Sequence, residues 1–276
     1  MRLLYITNDE NVAKIADESG IDIIFIDLET IGKDLRQIGR DTVKSKHNVS
    51  DIVKIKRILK KSKILVRVNP IHENSKDEIE KVVEARPDII MLPMINRMSD
   101  VTTFLKLIDN RIKTCLLIET SKSVELIEKI IKIAPNSDYY IGLNDLHLSY
   151  GQDFIFEPLA DGTVEKLSEL FNKNNIEFGF GGIARVGQGM LPSESIIMEH
   201  YRLNSKMVIL SRTFCNAEKI GDLDEIRNTM ASGVSDIREF EKKLTECDDD
   251  DYIMNKNELK KIVYMIKEKI LAKKDV

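Results

Sequence analysis

The sequence predicts an α/β protein of the (β/α)8 TIM barrel class, with additional helices at its C-terminal end. Two observations carry this prediction: short apolar segments recur eight times along the 276 residues, and segments with a helical period separate them. Eight strand–helix repeats close a barrel, and about 250 residues commonly form one such domain. A doubly wound open sheet is the alternative, and it would carry a glycine-rich phosphate turn after its first strand. The corresponding segment here, residues 7–10, contains no glycine.

The predicted strands are nearly continuous in apolar residues and do not alternate with polar ones. Strands buried on both faces have this composition, which is typical of a parallel sheet covered by helices. The eight segments cover residues 3–7, 21–27, 64–69, 89–95, 114–119, 139–144, 177–183 and 207–211.

Helix-end signals occupy the segments between the strands. Ser75 and Glu78 have the spacing of a capping box, which predicts a helix start. Apolar residues with a helical period fill residues 124–131, and Pro135 is expected to end that helix. Pro192 suits the first turn of a later helix.

Two stretches exceed what a barrel needs. Residues 150–162 form a long insertion after the sixth strand, which we interpret as an active-site loop. From Gly221 onward the pattern predicts two long helices separated by the acidic residues 248–251, interpreted as a solvated turn. The chain is therefore divided into a barrel domain, residues 1–220, and a C-terminal helical extension, residues 221–276. The extension could pack under the barrel or reach a neighbouring subunit.

Composition and charge restrict the class of protein. The formal net charge is −4 and no segment is strongly basic, which argues against a nucleic-acid partner. The cysteines, Cys115, Cys215 and Cys247, form no C-x-x-C pair, so reduced thiols are expected. The apolar start of the chain is too short for a signal peptide, and no segment is long enough to span a membrane. The expectation is a cytoplasmic protein.

Polar residues cluster where the predicted strands end. Active sites of such barrels lie at the C-terminal ends of the strands, so these residues should share one polar mouth. In chain order they are Asp27 and Glu29 at the second strand, Arg67 and Asn69 at the third, Glu119 at the fifth, Asn144 and Asp145 at the sixth, Gly181, Gly182 and Arg185 at the seventh, and Ser211 and Arg212 at the eighth.

Glu119 and Asp145 end neighbouring predicted strands. Two carboxylates at one mouth repel each other unless one is protonated or a cation lies between them. Oxygen ligands without a thiolate or a histidine pair favour Mg²⁺ or Mn²⁺ over zinc. The alternative for a single glutamate such as Glu119 is a solvated strand end or a helix cap.

Candidate substrate-binding residues surround this pair. Arg67 offers a fork of donors for a carboxylate, and Gly181 and Gly182 let the backbone approach a ligand. Asn69 and Arg185 are further candidates, although Arg185 could instead tie neighbouring loops together. With a metal, these groups suit the oxygen charge that develops when a proton or a carbon leaves the position next to a ketone.

The histidines have two interpretations each. His147 follows Asp145 closely and is a candidate general acid or base, with a loop histidine as the alternative. His200 lies within a predicted helix and is interpreted as a packing residue. His47 and His72 are interpreted as surface loop residues. Arg212 could bind an anion, and a structural contact between loops is the favoured alternative.

Five sequence motifs occur in order at these strand ends. Together they resemble the HpcH/HpaI aldolase and citrate lyase beta-subunit family of the phosphoenolpyruvate/pyruvate barrel superfamily, from about Ile21 to Phe214. The resemblance implies a TIM barrel, Mg²⁺ or a similar metal, and a homo-oligomer formed through the C-terminal helices. It also implies cleavage or formation of a carbon–carbon bond next to a keto acid or an acyl-CoA. The motifs are IDLET at 26–30, LVRVNP at 65–70, MLPMI at 91–95, LIET at 117–120 and IGLNDL at 141–146.

The same resemblance implies residue roles. Glu119 and Asp145 match the positions of the metal ligands. Arg67 matches the arginine that holds the keto-acid oxygens. Asp27 and Glu29 match the acidic D-x-E motif, which places them with the catalytic residues.

The chain departs from both main branches of the family at two positions. Thr30 stands where the aldolases have histidine and the citrate lyase branch has aspartate. Met94 stands where the citrate lyase branch has lysine after MLP. Residues 178–189 and 199–214 also fit neither branch closely and resemble a less characterised subgroup. His147 or a metal-bound water is the candidate replacement for the missing base.

The predicted function is that of a divalent-metal-dependent carbon–carbon lyase of the aldolase type. It would act on a small 2-keto acid through a metal-stabilised enolate. One alternative is a citrate-lyase-like acyl-CoA lyase or thioesterase, in which the loop carrying Phe154 and Phe156 lines or blocks the space for the CoA arm. A second alternative, motivated by Thr30 and Met94, is a barrel that binds ligands without reacting.

Overall fold

The computed structural model describes residues 1–32 and 47–274. Eight parallel strands close into a barrel whose order follows the chain, and β1 pairs with β8 to complete the ring. The strands are β1 (Arg2–Ile6), β2 (Ile23–Asp27), β3 (Lys63–Arg67), β4 (Ile89–Leu92), β5 (Lys113–Ile118), β6 (Asp138–Ile141), β7 (Phe178–Ile183) and β8 (Met207–Leu210). The predicted (β/α)8 barrel is confirmed.

Several strands end earlier than the apolar pattern predicts. β3 ends two residues before the expected Asn69, β4 three before Ile95, and β6 three before Asn144. The residues beyond these ends, such as Val68 and Leu143, remain buried although they have left the sheet. The apolar pattern predicts which residues are buried, and burial continues past the ends of the strands. The pattern therefore does not predict where the strand pairing stops.

Helices surround the barrel and follow it at the C-terminal end. Most connect consecutive strands, as expected for this fold. They are α1 (Glu10–Glu18), α2 (Val49–Ile58), α3 (Ser75–Glu84), α4 (Met98–Ile108), α5 (Ser121–Glu125), α6 (Ile127–Ile133), α7 (Leu143–Ser149), α8 (Glu157–Ala160), α9 (Thr163–Lys173), α10 (Ser193–Arg202), α11 (Ala217–Ile220), α12 (Leu223–Lys243) and α13 (Asp249–Lys274). No helix in the described residues is long and apolar enough to cross a membrane.

The predicted capping box at Ser75 does not form. Ser75 is the first residue of α3, and its Oγ accepts the N–H of His72 at 2.8 Å. Glu78 reaches instead to Asn69. One oxygen of the Glu78 carboxylate accepts both the backbone N–H and the side-chain amide of Asn69. The acidic side chain therefore holds the end of β3 and does not cap its own helix.

Alternate residues of each strand face the barrel interior, and this alternation positions the polar mouth. On β5, Cys115 and Leu117 pack inside the barrel, while Leu116 and Ile118 pack outward against the helices. Side chains alternate along a strand, so Glu119 continues the inward series just past the end of β5. By the same alternation Arg67 follows Leu65 and Asp27 follows Phe25, and these charged groups lie above the apolar interior.

The C-terminal extension packs on its own barrel. Helix α12 lies against α1, and α13 lies against α10 and α8. Arg238 on α12 pairs with Asp22 at 2.9 Å, at the amino-terminal end of the barrel. The acidic residues 248–251 do not form a turn as expected, because α13 begins at Asp249. Negative side chains in the first turn of a helix interact favourably with its dipole.

Candidate active site

A cavity of about 330 Å³ opens at the carboxyl ends of the strands. Its volume suits a small molecule. Charged groups share its walls with apolar side chains of the strands and of the loop that follows α7. The lining residues are Phe25, Glu29, Arg67, Met91, Leu117, Glu119, Tyr140, Gly142, Leu143, Asn144, Asp145, Ile155, Gly181, Gly182, Ile209 and Ser211.

Arg67 is held by two acidic residues that follow β2. Its Nε and Nη2 donate to the two carboxylate oxygens of Asp27 at 2.9 and 2.8 Å, and Nη2 lies 3.3 Å from Glu29. Burial lowers the pKa of Arg67, but the neighbouring Asp27 and Glu29 outweigh it and raise that pKa above its ordinary value. The guanidinium therefore stays charged beside the cavity, with Nη1 engaged in none of these contacts.

Glu119 is a buried carboxylate in the wall of the cavity, with 2% of its surface exposed. One oxygen accepts the N–H of Met94 at 2.9 Å. Burial raises the pKa of Glu119 from 4.5 to about 8; Arg67 opposes this, and Asp145 and Glu29 add to it. The ionised form of Glu119 is therefore disfavoured in the folded protein, chiefly because the carboxylate is buried.

Two backbone features place this carboxylate. Met94 adopts a left-handed conformation with φ of 51°, which is uncommon for a residue with a side chain, and its N–H is bonded to Glu119. Gly142 faces Glu119 closely, since a Cβ at this glycine would lie 2.9 Å from the Glu119 Cβ and 3.0 Å from its Oε2. A larger residue at position 142 would displace the carboxylate.

The raised pKa of Glu119 predicts a pH-dependent stability. The unfolded chain releases this proton near pH 4.5, whereas the folded chain holds it to about pH 8. Between these values the native state binds more protons than the unfolded state, so the free energy of unfolding falls as pH rises. We expect denaturant titrations with a chelator present to show this fall in the wild type. The Glu119→Gln variant should lack this component, and equal slopes in both proteins would contradict the assignment.

Asn144 and Asp145 do not end a strand as predicted. They lie in the first turn of α7, which begins at Leu143 directly after Gly142. The turn into the helix still brings both residues to the cavity wall. Asp145 therefore lines the cavity from a helix, whereas Glu119 lines it from the end of a strand. The two predicted metal-ligand positions share one cavity.

Gly181 and Gly182 line the cavity at an irregularity in β7. The pairing of β7 with β8 shifts register between Gly179 and Gly182. Tyr140, buried inside the barrel, fills this irregularity. Its hydroxyl accepts the N–H of Ile209 at 2.9 Å and lies within donating distance of the carbonyls of Phe180 and Gly181. Sequence reasoning missed Tyr140, because an aromatic residue in an apolar strand gives no sign of its polar contacts.

Asn69 organises the loop after β2 and is not among the lining residues. Its Oδ1 accepts the N–H of Thr30 at 2.8 Å and that of Ile31 at 2.9 Å, and its amide donates to Glu78. Thr30 donates its hydroxyl to the same oxygen at 3.3 Å. The structure thus places Asn69 and Thr30 in the support of the Glu29 segment.

Arg185 and His147 also lie outside the cavity lining. Arg185 donates to Ser232 at 2.9 Å and lies 3.6 Å from Asp236, both on α12, because the C-terminal extension passes beside the end of β7. His147 is buried on α7, with Nδ1 at 3.1 Å from the carbonyl of Leu143.

Of the three remaining histidines, one lies as expected, one does not, and one is only partly exposed. His200 packs as expected, stacked on Phe180 with ring centroids 3.7 Å apart, and burial lowers its pKa to about 3. His47, expected on the surface, is instead buried, and its Nδ1 accepts the backbone N–H of Asp27 at 2.9 Å. It therefore supports the residue that binds Arg67. His72 is half-buried and contacts Glu78 at 2.8 Å.

Glu119 and Asp145 are the lining carboxylates that could hold a divalent metal. Mg²⁺ is commonly bound by one or two carboxylates, with waters and substrate oxygens completing its shell. The environment of Glu119 fits such an ion, since a cation would stabilise the ionised carboxylate that burial, and then Asp145 and Glu29, disfavour. Within residues 1–32 and 47–274, no group of three or more His, Cys, Asp or Glu side chains is arranged to hold a metal by itself.

Comparison with known proteins agrees with the fold. The model of the HpcH/HpaI aldolase/citrate lyase family matches residues 3–153. A family protein of that name from Burkholderia cenocepacia J2315 has a TM-score of 0.60 at 14% identity, covering 82% of this chain and 94% of that chain. The HpcH/HpaI aldolase from Desulfitobacterium hafniense DCB-2 has a TM-score of 0.56 at 15% identity, covering 80% and 90%.

RipC from Yersinia pestis is a third similar structure, with a TM-score of 0.56 at 16% identity, covering 84% of this chain and 94% of that chain. At these identities the likeness shows the shared barrel. No curated protein matches the chain in sequence.

Proposed function

The chain belongs to the HpcH/HpaI aldolase/citrate lyase family, and we propose that it is a metal-dependent carbon–carbon lyase acting on a small 2-keto acid. Enzymes of this family are generally lyases of the aldolase type, and they typically use a divalent metal. The observation that carries the proposal is the meeting of Glu119, Asp145 and Arg67 in one cavity at the carboxyl end of the barrel.

Glu119 and Asp145 are proposed to hold Mg²⁺ or Mn²⁺. When bound, the metal would supply positive charge for the enolate oxygen that develops beside the carboxylate of the substrate. The Met94 N–H fixes one oxygen of Glu119, and the packing of Gly142 fixes its direction. These contacts would hold the carboxylate in place before the metal arrives, which reduces the reorganisation that binding requires.

Arg67 is proposed to bind the substrate carboxylate or keto oxygen. Asp27 occupies Nε and Nη2 and thereby fixes the plane of the guanidinium, while Nη1 is left out of these contacts. A fixed guanidinium loses little side-chain entropy when it donates to an oxygen of the substrate. Gly181 and Gly182 would let the substrate approach the backbone of β7 at the opposite wall.

Glu29 is the proposed proton-transfer residue. Thr30 stands where a histidine would serve in related aldolases, and it is exposed and hydrogen-bonded to Asn69. Asp27 is committed to Arg67 through both of its oxygens. Glu29 lines the cavity, and one of its oxygens lies 3.3 Å from Arg67. Of the two carboxylates of the D-x-E motif, Glu29 is therefore the better placed for proton transfer to a substrate.

The test is exchange of the methyl protons of pyruvate for deuterium in deuterated water, followed by NMR with and without Mg²⁺ or Mn²⁺. Metal-dependent exchange is expected, because the pyruvate enolate forms before the carbon–carbon bond is made and is released when that bond is broken. Lack of exchange with either metal would contradict action on a pyruvate-like substrate. Calorimetric binding of a CoA ester would then favour an acyl-CoA lyase or thioesterase, and ligand binding without any turnover would favour a non-reacting barrel.

A further inference from the structure

The C-terminal helix α13 contacts the barrel through two lysine–glutamate ion pairs. Lys267 donates to Oε2 of Glu157, at the start of α8, at 2.7 Å. Lys256 donates to both oxygens of Glu165 on α9, at 2.9 and 2.7 Å. The two pairs link α13 to the neighbouring helices α8 and α9, but only the residues around Glu157 contact the cavity.

Glu157 also holds the long loop between α7 and α8. Its other carboxylate oxygen accepts the backbone N–H groups of Asp153 and Phe154 at 2.7 and 2.8 Å. The carboxylate is 3% exposed, so its negative charge needs these donors and Lys267. Burial raises the pKa of Glu157, but Lys267 and the two N–H groups outweigh it, and the pKa lies below its ordinary value.

Ile155 follows these two N–H groups and forms part of the cavity wall. Phe154 beside it is buried in the core, and Phe156 meets Phe154 edge to face at 5.5 Å between ring centroids. The loop therefore contributes Ile155 to the cavity, and the two phenylalanines anchor the loop on either side of it. A continuous chain of contacts runs from Lys267 through Glu157 to this wall.

We propose that Lys267 is a positioning residue for the active-site cavity, and that α13 sets the position of the Ile155 wall through the carboxylate of Glu157. Without the lysine, the carboxylate is a buried charge with no cation, which is strongly unfavourable, and we expect it to turn towards solvent. That movement releases the N–H groups of Asp153 and Phe154. The consequence for ligand binding rests on the proposed function, whereas the consequence for the loop does not.

The first measurement is amide hydrogen exchange of the full-length protein at Asp153 and Phe154. We expect Lys267→Met to speed exchange there by about tenfold, since hydrogen bonds to a charged acceptor are lost. Lys256→Met is the matched control, because it breaks an ion pair of the same helix away from this loop. Lys267→Arg should restore slow exchange. Unchanged exchange in Lys267→Met, or an equal rise in Lys256→Met, would overturn the positioning role.

Glu157→Gln gives a second test that spares the packing of α13. The amide oxygen still accepts the two N–H groups, while the attraction to Lys267 is lost, so exchange should rise less than in Lys267→Met. A larger rise than in Lys267→Met would contradict transmission through this ion pair.

The last measurement is the affinity for oxalate, a planar analogue of an enolised 2-keto acid, in the presence of Mn²⁺. Lys267→Met should weaken binding by about tenfold, since a loosened wall must be ordered again by the ligand, and Lys256→Met should bind like the wild type. Faster loop exchange with unchanged affinity would overturn the claim that this loop sets the cavity wall. If the wild type itself fails to bind Mn²⁺ and oxalate, the proposed function is contradicted, and amide exchange alone decides the role of Lys267.

Discussion

Glu119→Gln is expected to reduce metal-dependent deuterium exchange of pyruvate by about 10³-fold. The variant loses the negative charge that would hold the cation next to the developing enolate oxygen. Glutamine keeps the size of the side chain and the acceptor for the Met94 N–H, so the fold should survive. The metal-free variant should also unfold at a higher temperature than the wild type near pH 8, because it removes a charge that is disfavoured by burial and, secondarily, by Asp145 and Glu29. Activity by NMR and melting by calorimetry measure the two effects.

Asp138→Asn is the matched control for this substitution. Asp138 is another buried carboxylate of the barrel whose pKa is raised by burial, but it lies at the opposite end and pairs with Lys113 at 3.0 Å. Its amide variant likewise removes a buried charge, and it should keep metal-dependent exchange. If Glu119→Gln retained full exchange, or if both variants lost it equally, the metal-ligand role of Glu119 would be wrong.

Arg67→Met is expected to have the second largest effect, on both stability and activity. It leaves the buried Glu29 and the partly buried Asp27 without their cation, and breaking a buried ion pair costs about 3–5 kcal/mol. Substrate-dependent exchange should fall by about 10²-fold or more, since the donor to the substrate oxygens is lost. Arg67→Lys should recover part of the stability and little of the activity, because an ammonium cannot form the two-pronged contact with Asp27.

Arg202→Met separates the two effects of the Arg67 substitution. Arg202 also binds a buried carboxylate, with Nη2 at 2.7 Å from Glu199, and it bridges to Glu165 on the outside of the barrel. We expect a comparable loss of stability in denaturant titrations with normal exchange once the protein is folded. Equal losses of exchange in both variants would reduce the role of Arg67 to stability alone.

Most of the fold was predictable because its signals are local. Eight apolar segments and the helical patterns between them indicate a closed parallel barrel, whatever the details of each loop. The position of Arg67 and Glu119 in the cavity wall was predictable for the same reason, since charge at the end of a buried strand falls at the mouth of the barrel. Asp145 reached the cavity from the first turn of α7, although the strand was expected to continue to Asn144.

The contacts of other residues were not predictable because they depend on parts of the chain far away in sequence. Arg185 follows the seventh barrel strand by two residues, but α12 passes beside it and supplies Ser232 and Asp236. His47 carries no pattern that distinguishes it from a surface histidine, yet it binds the backbone of Asp27. Tyr140 supports the cavity through a hydroxyl that satisfies an irregular strand pair.

The sequence by itself determined the class of fold, the acidic and cationic residue types at the mouth, and the resemblance that indicates a lyase. These follow from periodicity and from motifs a few residues long, which need no knowledge of the rest of the chain. Only the tertiary structure decided which polar groups meet in the cavity, which of them support the others, and how α13 reaches the wall through Lys267 and Glu157. Distances between strands and helices arise from packing of the whole chain, and burial then sets the electrostatics of each group, including the raised pKa of Glu119.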